Sequence, residues 1–436
     1  MLRRPSPRAP IDILFVLCCI ILIGDVLVPE IWGRGKTKDY PLWYWAGQQV
    51  LQGRDLYPSD PNQPFPFLYP PLSAVLLAIP SWFGKVPLYL CLALLNAVAW
   101  GMTSVFSNAM TGSGRLPGQW LFALPAFVTI TFVFDMFDLG QPNLVLLAMM
   151  LCGFWTLQHQ RPWLGGSLFA LATALKVFPV AVIPYLLWRR QWKAVASTVL
   201  FIVFFLFVLP APFRGFQHNF DELTIWYHGM VASSSEKGFG QRDEQNWSWV
   251  NQSIIAVTHR LTRPIDYNRD DPNSTRPRRT MNVLDFDYAA ANWIVLAVSV
   301  ALGLGFITIM PDERRRTPRS DAEELGILFC LMTLASPLAR QYYFIWLFYP
   351  VTILIHRAAY DPRGGARTGT SLALAGAGIL MLLSLGIFPK DFQAWGNNLA
   401  ATAILAAALG WHLLHPLEAG SPPPGELKAP MIPEER

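Results

Sequence analysis

The chain has 436 residues, of which 53% are hydrophobic and only 14% charged, with a formal net charge of +5. An ordinary globular chain carries about 25% charged residues, so this composition excludes a string of soluble domains and implies an integral membrane protein. The small positive excess suits contact with anionic membrane lipids and gives no reason to invoke a nucleic-acid partner.

Apolar runs suited to about 30 Å of hydrocarbon begin at residues 11–31 and recur at 71–84, 86–110, 119–134, 143–157, 164–188, 194–212, 289–310, 325–338, 342–355, 370–388 and 397–414. They predict an all-α polytopic bundle of about twelve transmembrane helices. Several are short enough to need bilayer thinning or burial by neighbours, and 71–84 and 119–134 are open to a re-entrant alternative. The first run is too long for a cleaved signal peptide and no small-residue cleavage site follows it, so it is expected to remain as an anchor. Basic residues in the short loops set the orientation. With the N-terminus inside, the inner loops hold Lys85, Arg189, Arg190, Lys193, Arg314 to Arg316, Arg319, Arg357, Arg363 and Arg367. The short outer loops then hold one basic residue each: Arg115, Arg161, Arg340 and Lys390. Both termini are expected in the cytoplasm. Residues 1–415 read as one membrane domain with outer loops 32–70 and 213–288, and 416–436, with three consecutive prolines, as a disordered tail. All five cysteines lie in apolar runs without metal-ligand spacing, as packing residues do.

The first outer loop carries the chemistry. Asp39 follows the first span and opens a segment on which Tyr40, Trp43, Tyr44, Gly47, Val50 and Leu51 share one helical face, opposite Gln48, Gln49 and Gln52. That pattern predicts an amphipathic helix lying in the interface. A carboxylate at its N-terminus is favoured by the helix dipole and can accept a proton; the plain alternative is a solvated N-cap. In the second loop, Val250, Ile254, Val257, Thr258 and Leu261 form a helical stripe, and this loop is expected to cap the first.

Lys176 falls near the middle of an apolar run, where a charge requires a wet cavity or a partner; Asp25, Asp135 and Asp138 are the available acids. The loop count places Gln141 and Asn143 near the cytoplasmic face, away from Asp39, unless 119–134 is re-entrant. Asp285 and Asp287 have the spacing of a nucleotide-sugar metal motif but no soluble α/β domain to hold it. Asn246, Asn251 and Asn273 open glycosylation tripeptides.

Taken in order, Asp39-Tyr40, the Trp43/Tyr44 cluster, Ala46-Gly47, Leu51, Gly53, Leu56-Tyr57-Pro58 and Tyr69-Pro70-Pro71 resemble the first outer loop of glycosyltransferase family 87, in the GT-C class. Gly140-Gln141-Pro142-Asn143, the run from Arg161-Pro162-Trp163 through Leu175-Lys176-Val177-Phe178-Pro179 to Arg189-Arg190, and Asn251-Gln252-Ser253 with Arg260 agree with it. The resemblance implies a GT-C-type bundle in a bacterial plasma membrane with its site on the outer side. It further implies inverting transfer of a hexose, commonly mannose, from a polyprenyl-phosphate carrier to a lipid or glycan acceptor of the cell envelope, without a metal or other cofactor. Asp39 matches the family's general base. A phosphate leaving group without a metal requires cationic donors; Arg340, Arg260 and Lys176 are the candidates, with Tyr40, Tyr44, Asn251, Gln252, Gln341 and Tyr342 as substrate contacts. Where relatives often carry a histidine after Ser-Pro in the last outer loop, this chain has Arg340, Gln341 and Tyr342, which weakens the implication of mannose. Two other classes fit the spans: an ion-coupled transporter using Asp25 and Lys176, and a glycan ligase or polymerase using a diphosphate-linked donor. The absence of an evident internal repeat and the two large outer loops favour the transferase.

Overall fold

The computed structural model describes residues 9–33, 39–60, 63–113, 118–232, 238–269 and 276–417. Within them the chain is helical, with no strand. In order the helices are α1 (Ala9–Ile31), α2 (Tyr40–Leu51), α3 (Pro71–Ser81), α4 (Lys85–Ala109), α5 (Gln119–Val128), α6 (Ile130–Leu139), α7 (Asn143–Gln158), α8 (Pro162–Leu175), α9 (Val182–Trp188) and α10 (Trp192–Val203). They continue with α11 (Ala211–Arg214), α12 (Phe216–Met230), α13 (Asp243–Trp247), α14 (Ile254–Thr262), α15 (Tyr288–Ile309), α16 (Pro318–Ala335), α17 (Phe348–Tyr360), α18 (Gly364–Leu382), α19 (Lys390–Ala394) and α20 (Asn397–Leu414). Five stretches are long and apolar enough to cross a membrane on their own, six if the bent pair α5–α6 is one span. The remaining traverses use helices that are shorter or less apolar, and large apolar side chains such as Ile21, Trp293 and Leu304 face outward, as lipid contact requires.

The bundle has two unlike ends. At one, Arg357 is buried and donates to Glu323 at 2.8 Å, Arg319 joins Glu323 to Asp361, and Arg363 also reaches Asp361. Charges this deep are stable only when paired. At the other end lies Asp39. The two outer loops meet there: Phe65 N–H donates to Gly240 O, Trp226 to Leu68 O and Leu56 N–H to Glu222, so α12 to α14 cover the 39–70 segment.

Two predicted spans change, and their errors offset each other. The 71–84 segment does not cross: α3 has only 11 residues, about 16 Å at 1.5 Å per residue, and packs beside α2 with Gln48 donating to Ser81 O. One crossing fewer inverts the side of the next loops. Phe15 of α1 packs against Trp100 of α4 with centroids 4.8 Å apart and the rings tilted by 54°, so Lys85 returns to the Asp39 end, its Nζ 5.8 Å from the centroid of the Tyr44 ring. Gln141 and Asn143 likewise come to the Asp39 end, and Arg161, between α7 and α8, goes to the Glu323 end. The 164–188 run then makes two traverses instead of one. Helix α8 stops at Leu175, Lys176 is extended (φ −157°, ψ 114°), and the chain turns back through α9 to Arg189, which pairs with Glu324. From there the loops alternate between the Asp39 end and the Glu323 end, as in the predicted order of spans.

The α5–α6 pair crosses with a 60° bend. Pro125 interrupts the helix and the Thr129 hydroxyl donates back to its carbonyl at 2.8 Å, both recognised causes of a kink. Asp287, set aside as a metal motif, caps α15 by accepting from Ala290 N–H. Arg115, Asn273 and the tail beyond 417 lie outside the described residues.

Candidate active site

Asp39 occupies the N-cap position of α2, and its backbone carbonyl accepts from Leu42 and Trp43. Its side chain does not cap. The Oδ2 atom accepts instead from Gln141 Nε2 at 2.8 Å, and Gln141 Oε1 accepts from the Tyr69 hydroxyl at 2.7 Å. The first turn of α2 is sewn to the end of α6 by Tyr40 donating to Phe137 O and Trp43 donating to Leu139 O. Gly140 closes α6 at φ 63°, and a Cβ there would sit 3.0 Å from the Tyr40 ring, so glycine serves both the left-handed turn and the close approach.

Lys176 is 8% exposed. Its Nζ donates to Asn143 Oδ1 at 3.1 Å and lies 4.0 Å from the Tyr343 ring centroid, with Tyr69 and Tyr342 each at 5.2 Å. Asn143, not an acid, is its partner. Arg340 donates to Gln245 Oε1 at 2.5 Å. Arg242 reaches over from the cap to the carbonyls of Phe65 and Pro66. Burial and the adjacent Arg340 hold its guanidinium below the usual value, against the pull of Tyr342 and Asp39.

These groups line two adjoining cavities. The smaller, about 120 Å³, is walled by Asp39, Tyr69, Lys176, Arg242, Arg340 and Tyr342 among others. The larger, about 690 Å³, is walled by Asp39, Asp135, Asp138, Trp249, Arg340, Gln341, Tyr342 and Lys390. Asp39, Arg340 and Tyr342 belong to both walls. One carboxylate therefore stands between two compartments, with three cationic side chains around the smaller. Such an array can take up a proton from a hydroxyl and hold a polyanionic group beside it.

Of the residues singled out from sequence, Asp39, Lys176, Arg340, Gln341 and Tyr342 converge here. Arg260 does not. It is wholly buried and donates to the carbonyls of Ala394, Trp247, Ser248 and Asn251, and burial lowers its pKa to about 9. Tyr40 is buried beneath α2, and Tyr44, under Lys85, lines neither cavity. Asn251 and Gln252 act on the loop that carries Arg340. Asn251 Oδ1 accepts from Ala339 N–H at 3.0 Å, Asn251 Nδ2 donates to Pro337 O at 3.0 Å, and Gln252 N–H donates to Ala339 O at 2.8 Å.

Arg242, Gln245, Trp249, Asp135, Asp138 and Lys390 are site residues that sequence reasoning misses. The pair Asp135/Asp138 had a signal: two acids three residues apart on an otherwise apolar helix share a face. Arg242 had none, since its place depends on how the cap folds over Phe65. Among the described residues one group, Asp55, His218 and Glu222, has side chains of metal-ligand type. The Arg214 guanidinium already engages both His218 and Glu222, and none of the three lines either cavity.

A family model for glycosyltransferase family 87 matches residues 67–337, more than half of the chain. Among curated proteins, the chain is similar to the polyprenol-phosphate-mannose-dependent alpha-(1-2)-phosphatidylinositol mannoside mannosyltransferase of Mycobacterium tuberculosis, with 28% identity over 439 residues covering 93% of this chain and 92% of that protein. It is also similar to the protein of the same name from Mycolicibacterium smegmatis, with 23% identity over 419 residues covering 89% and 86%. A polyprenol-phosphate-mannose-dependent alpha-(1-2)-phosphatidylinositol pentamannoside mannosyltransferase of Mycolicibacterium smegmatis is 31% identical over 165 residues, covering 36% of this chain and 38% of that protein. No solved structure matches the chain. The length of the family match, on an all-helical polytopic chain, places this protein in glycosyltransferase family 87 as a membrane-embedded glycosyltransferase.

Proposed function

We propose that the enzyme moves a mannosyl residue from a polyprenyl-phosphate carrier to a hydroxyl of a mannosylated, phosphatidylinositol-type lipid on the outer side of a bacterial plasma membrane. Asp39 removes the proton of the acceptor hydroxyl. That oxygen bonds to the anomeric carbon as the bond from carbon to the carrier phosphate oxygen breaks, so a single displacement inverts the anomeric centre. The phosphate leaves with its added negative charge facing Lys176, Arg340 and Arg242. These three cations supply what a metal would otherwise provide, and turnover is expected to survive chelation. The names of the relatives support the donor and the acceptor class. The outward site is supported by the basic residues at the Glu323 end, which include Arg189, Arg319, Arg357 and Arg363.

One observation carries the assignment: the Asp39 carboxylate, not used as a helix cap, faces both cavities beside Arg340. The test is Asp39→Asn in proteoliposomes holding polyprenyl-phosphate mannose and a phosphatidylinositol mannoside. The amide can still accept a hydrogen bond but cannot take the proton. Transfer is expected to fall by about 10²–10⁴-fold, with thermal stability and donor affinity retained. Turnover near the parent rate would refute Asp39 as the base.

A further inference from the structure

A third concavity opens on the flank of the bundle, where the first half of α1, the second half of α4 and the bent pair α5–α6 leave a gap. It measures about 560 Å³ and is predominantly apolar, with Phe15, Trp100, Gly101, Ala126 and Ile130 among its walls and Asp12 at its far end. Ile130 also lines the larger cavity at Asp39. The chain bends by 60° at Thr129, and Ile130, the next residue, stands in the wall common to both cavities. Gly101 deepens the groove.

We infer that this groove holds the isoprenoid chain of the lipid-linked donor, an assignment that rests on the polyprenyl-phosphate donor proposed above. Reach decides between the two lipids. On α1, Cys18 and Ile11 bound the part that lines the groove, thirteen and twenty residues before Ile31. At 1.5 Å per residue they lie about 20 and 30 Å from the Asp39 end of that helix. An acyl chain of an acceptor anchored at that end covers one leaflet, about 15 Å, and stops short of this level. A carrier chain of many isoprene units passes the midplane and continues toward Asp12. With the carrier phosphate at Arg340, the chain descends past Phe134 and Ile130 of the larger cavity and enters the groove there.

The substitution Gly101→Leu tests this assignment. A Cβ at Gly101 would meet Phe15 at an ordinary 3.6 Å, so the first carbon fits and the rest fills the groove; Ala126→Phe does the same from the opposite wall. Each purified full-length variant is assayed with polyprenyl-phosphate mannose and with a two-isoprene analogue of the same phosphate mannose, the acceptor lipid held constant. The KM for the long donor is expected to rise at least about tenfold in both variants, with the short donor and the acceptor KM unchanged. Equal effects on the two donors, no effect on either, or a rise confined to the acceptor KM would overturn the assignment. A parent enzyme that transfers from neither donor would instead refute the donor class, and the occupant with it.

Discussion

Asn251→Ala should disable Arg340 without touching it. The Asn251 side chain is 1% exposed and makes four hydrogen bonds: Oδ1 accepts from Ala339 N–H at 3.0 Å and Ser253 N–H at 3.1 Å, and Nδ2 donates to Asn246 O and Pro337 O at 3.0 Å each. Truncation takes the Asn251 acceptor from two buried N–H groups, at about 1–3 kcal/mol each. The sum is about 2–6 kcal/mol, and water entering from the adjoining cavity brings the cost to the lower end. Three bonds still tie the 336–340 loop to the cap, Gln252 N–H to Ala339 O, Ser253 Oγ to Pro337 O and Arg340 to Gln245 Oε1, so the loop loosens while the protein stays folded. If about 2 kcal/mol of Arg340 placement is lost, kcat/KM for the donor falls about 30-fold. Steady-state transfer in proteoliposomes, varying donor and acceptor separately, reads this. The decisive comparison is a double-mutant cycle with Arg340→Ala. A residue acting through Arg340 adds little once Arg340 is gone, whereas losses that simply multiply, or a drop in melting temperature with normal kcat/KM, would refute the positioning role.

Lys176→Met keeps the stem and removes the charge. A charged hydrogen bond contributes about 1.5–3 kcal/mol, so donor KM should rise about 10–150-fold with acceptor KM unchanged, and an equal change in both would count against a phosphate contact. The cap should be acid-labile through His259, which is fully buried on α14 and whose pKa burial lowers to about 4, with Asn292 opposing in part. The unfolded ring takes a proton near 6.5 while the folded one resists until about 4. Stability is therefore complete above that upper value and declines as pH falls toward the lower, by at most about 3 kcal/mol. Melting temperature followed across that range should show the decline in the parent and a flatter profile in His259→Gln; parallel profiles would remove His259 as the cause.

The helical class and the place of Asp39 at the start of α2 were legible because they rest on local signals, hydropathy and an acid opening an amphipathic segment. Sidedness was not, because it is a parity count. Misreading α3 as a crossing put Gln141 at the wrong end, and reading 164–188 as one span put Lys176 in mid-membrane. Both errors come from hydropathy, which records that a segment is apolar and not whether it turns. The turn signals were present in Pro80 and Pro179, yet proline in a membrane helix can mark a kink as well as a reversal. Arg260 failed for a different reason. A cation near a recognised motif looks like a ligand contact, and only the fold shows its guanidinium buried against four backbone carbonyls, away from both cavities.

The converging groups share a structural position that accounts for how they can be there at all. Asp39 begins α2, Gln141 sits between α6 and α7, Lys176 follows α8, and Arg340 precedes the 3₁₀ turn of residues 341–347. Each stands where a helix starts or stops at one end of the bundle. Polar backbone at such breaks is tolerated within a membrane protein only where it is buried in protein or lines a wet cavity, and a cavity is what these breaks surround. The same geometry explains how Lys176 keeps company with three tyrosine rings and an amide with no direct ion pair to a described acid, Asp39 standing in the wall of the same cavity: at a helix end it faces the cavity, where the proposed donor phosphate would bring the opposite charge. Filling that place with a resident carboxylate, as in Asn143→Asp, should therefore compete with the donor, raising donor KM while leaving the fold intact. Unchanged donor KM in that variant would mean that Lys176 is a packing residue after all.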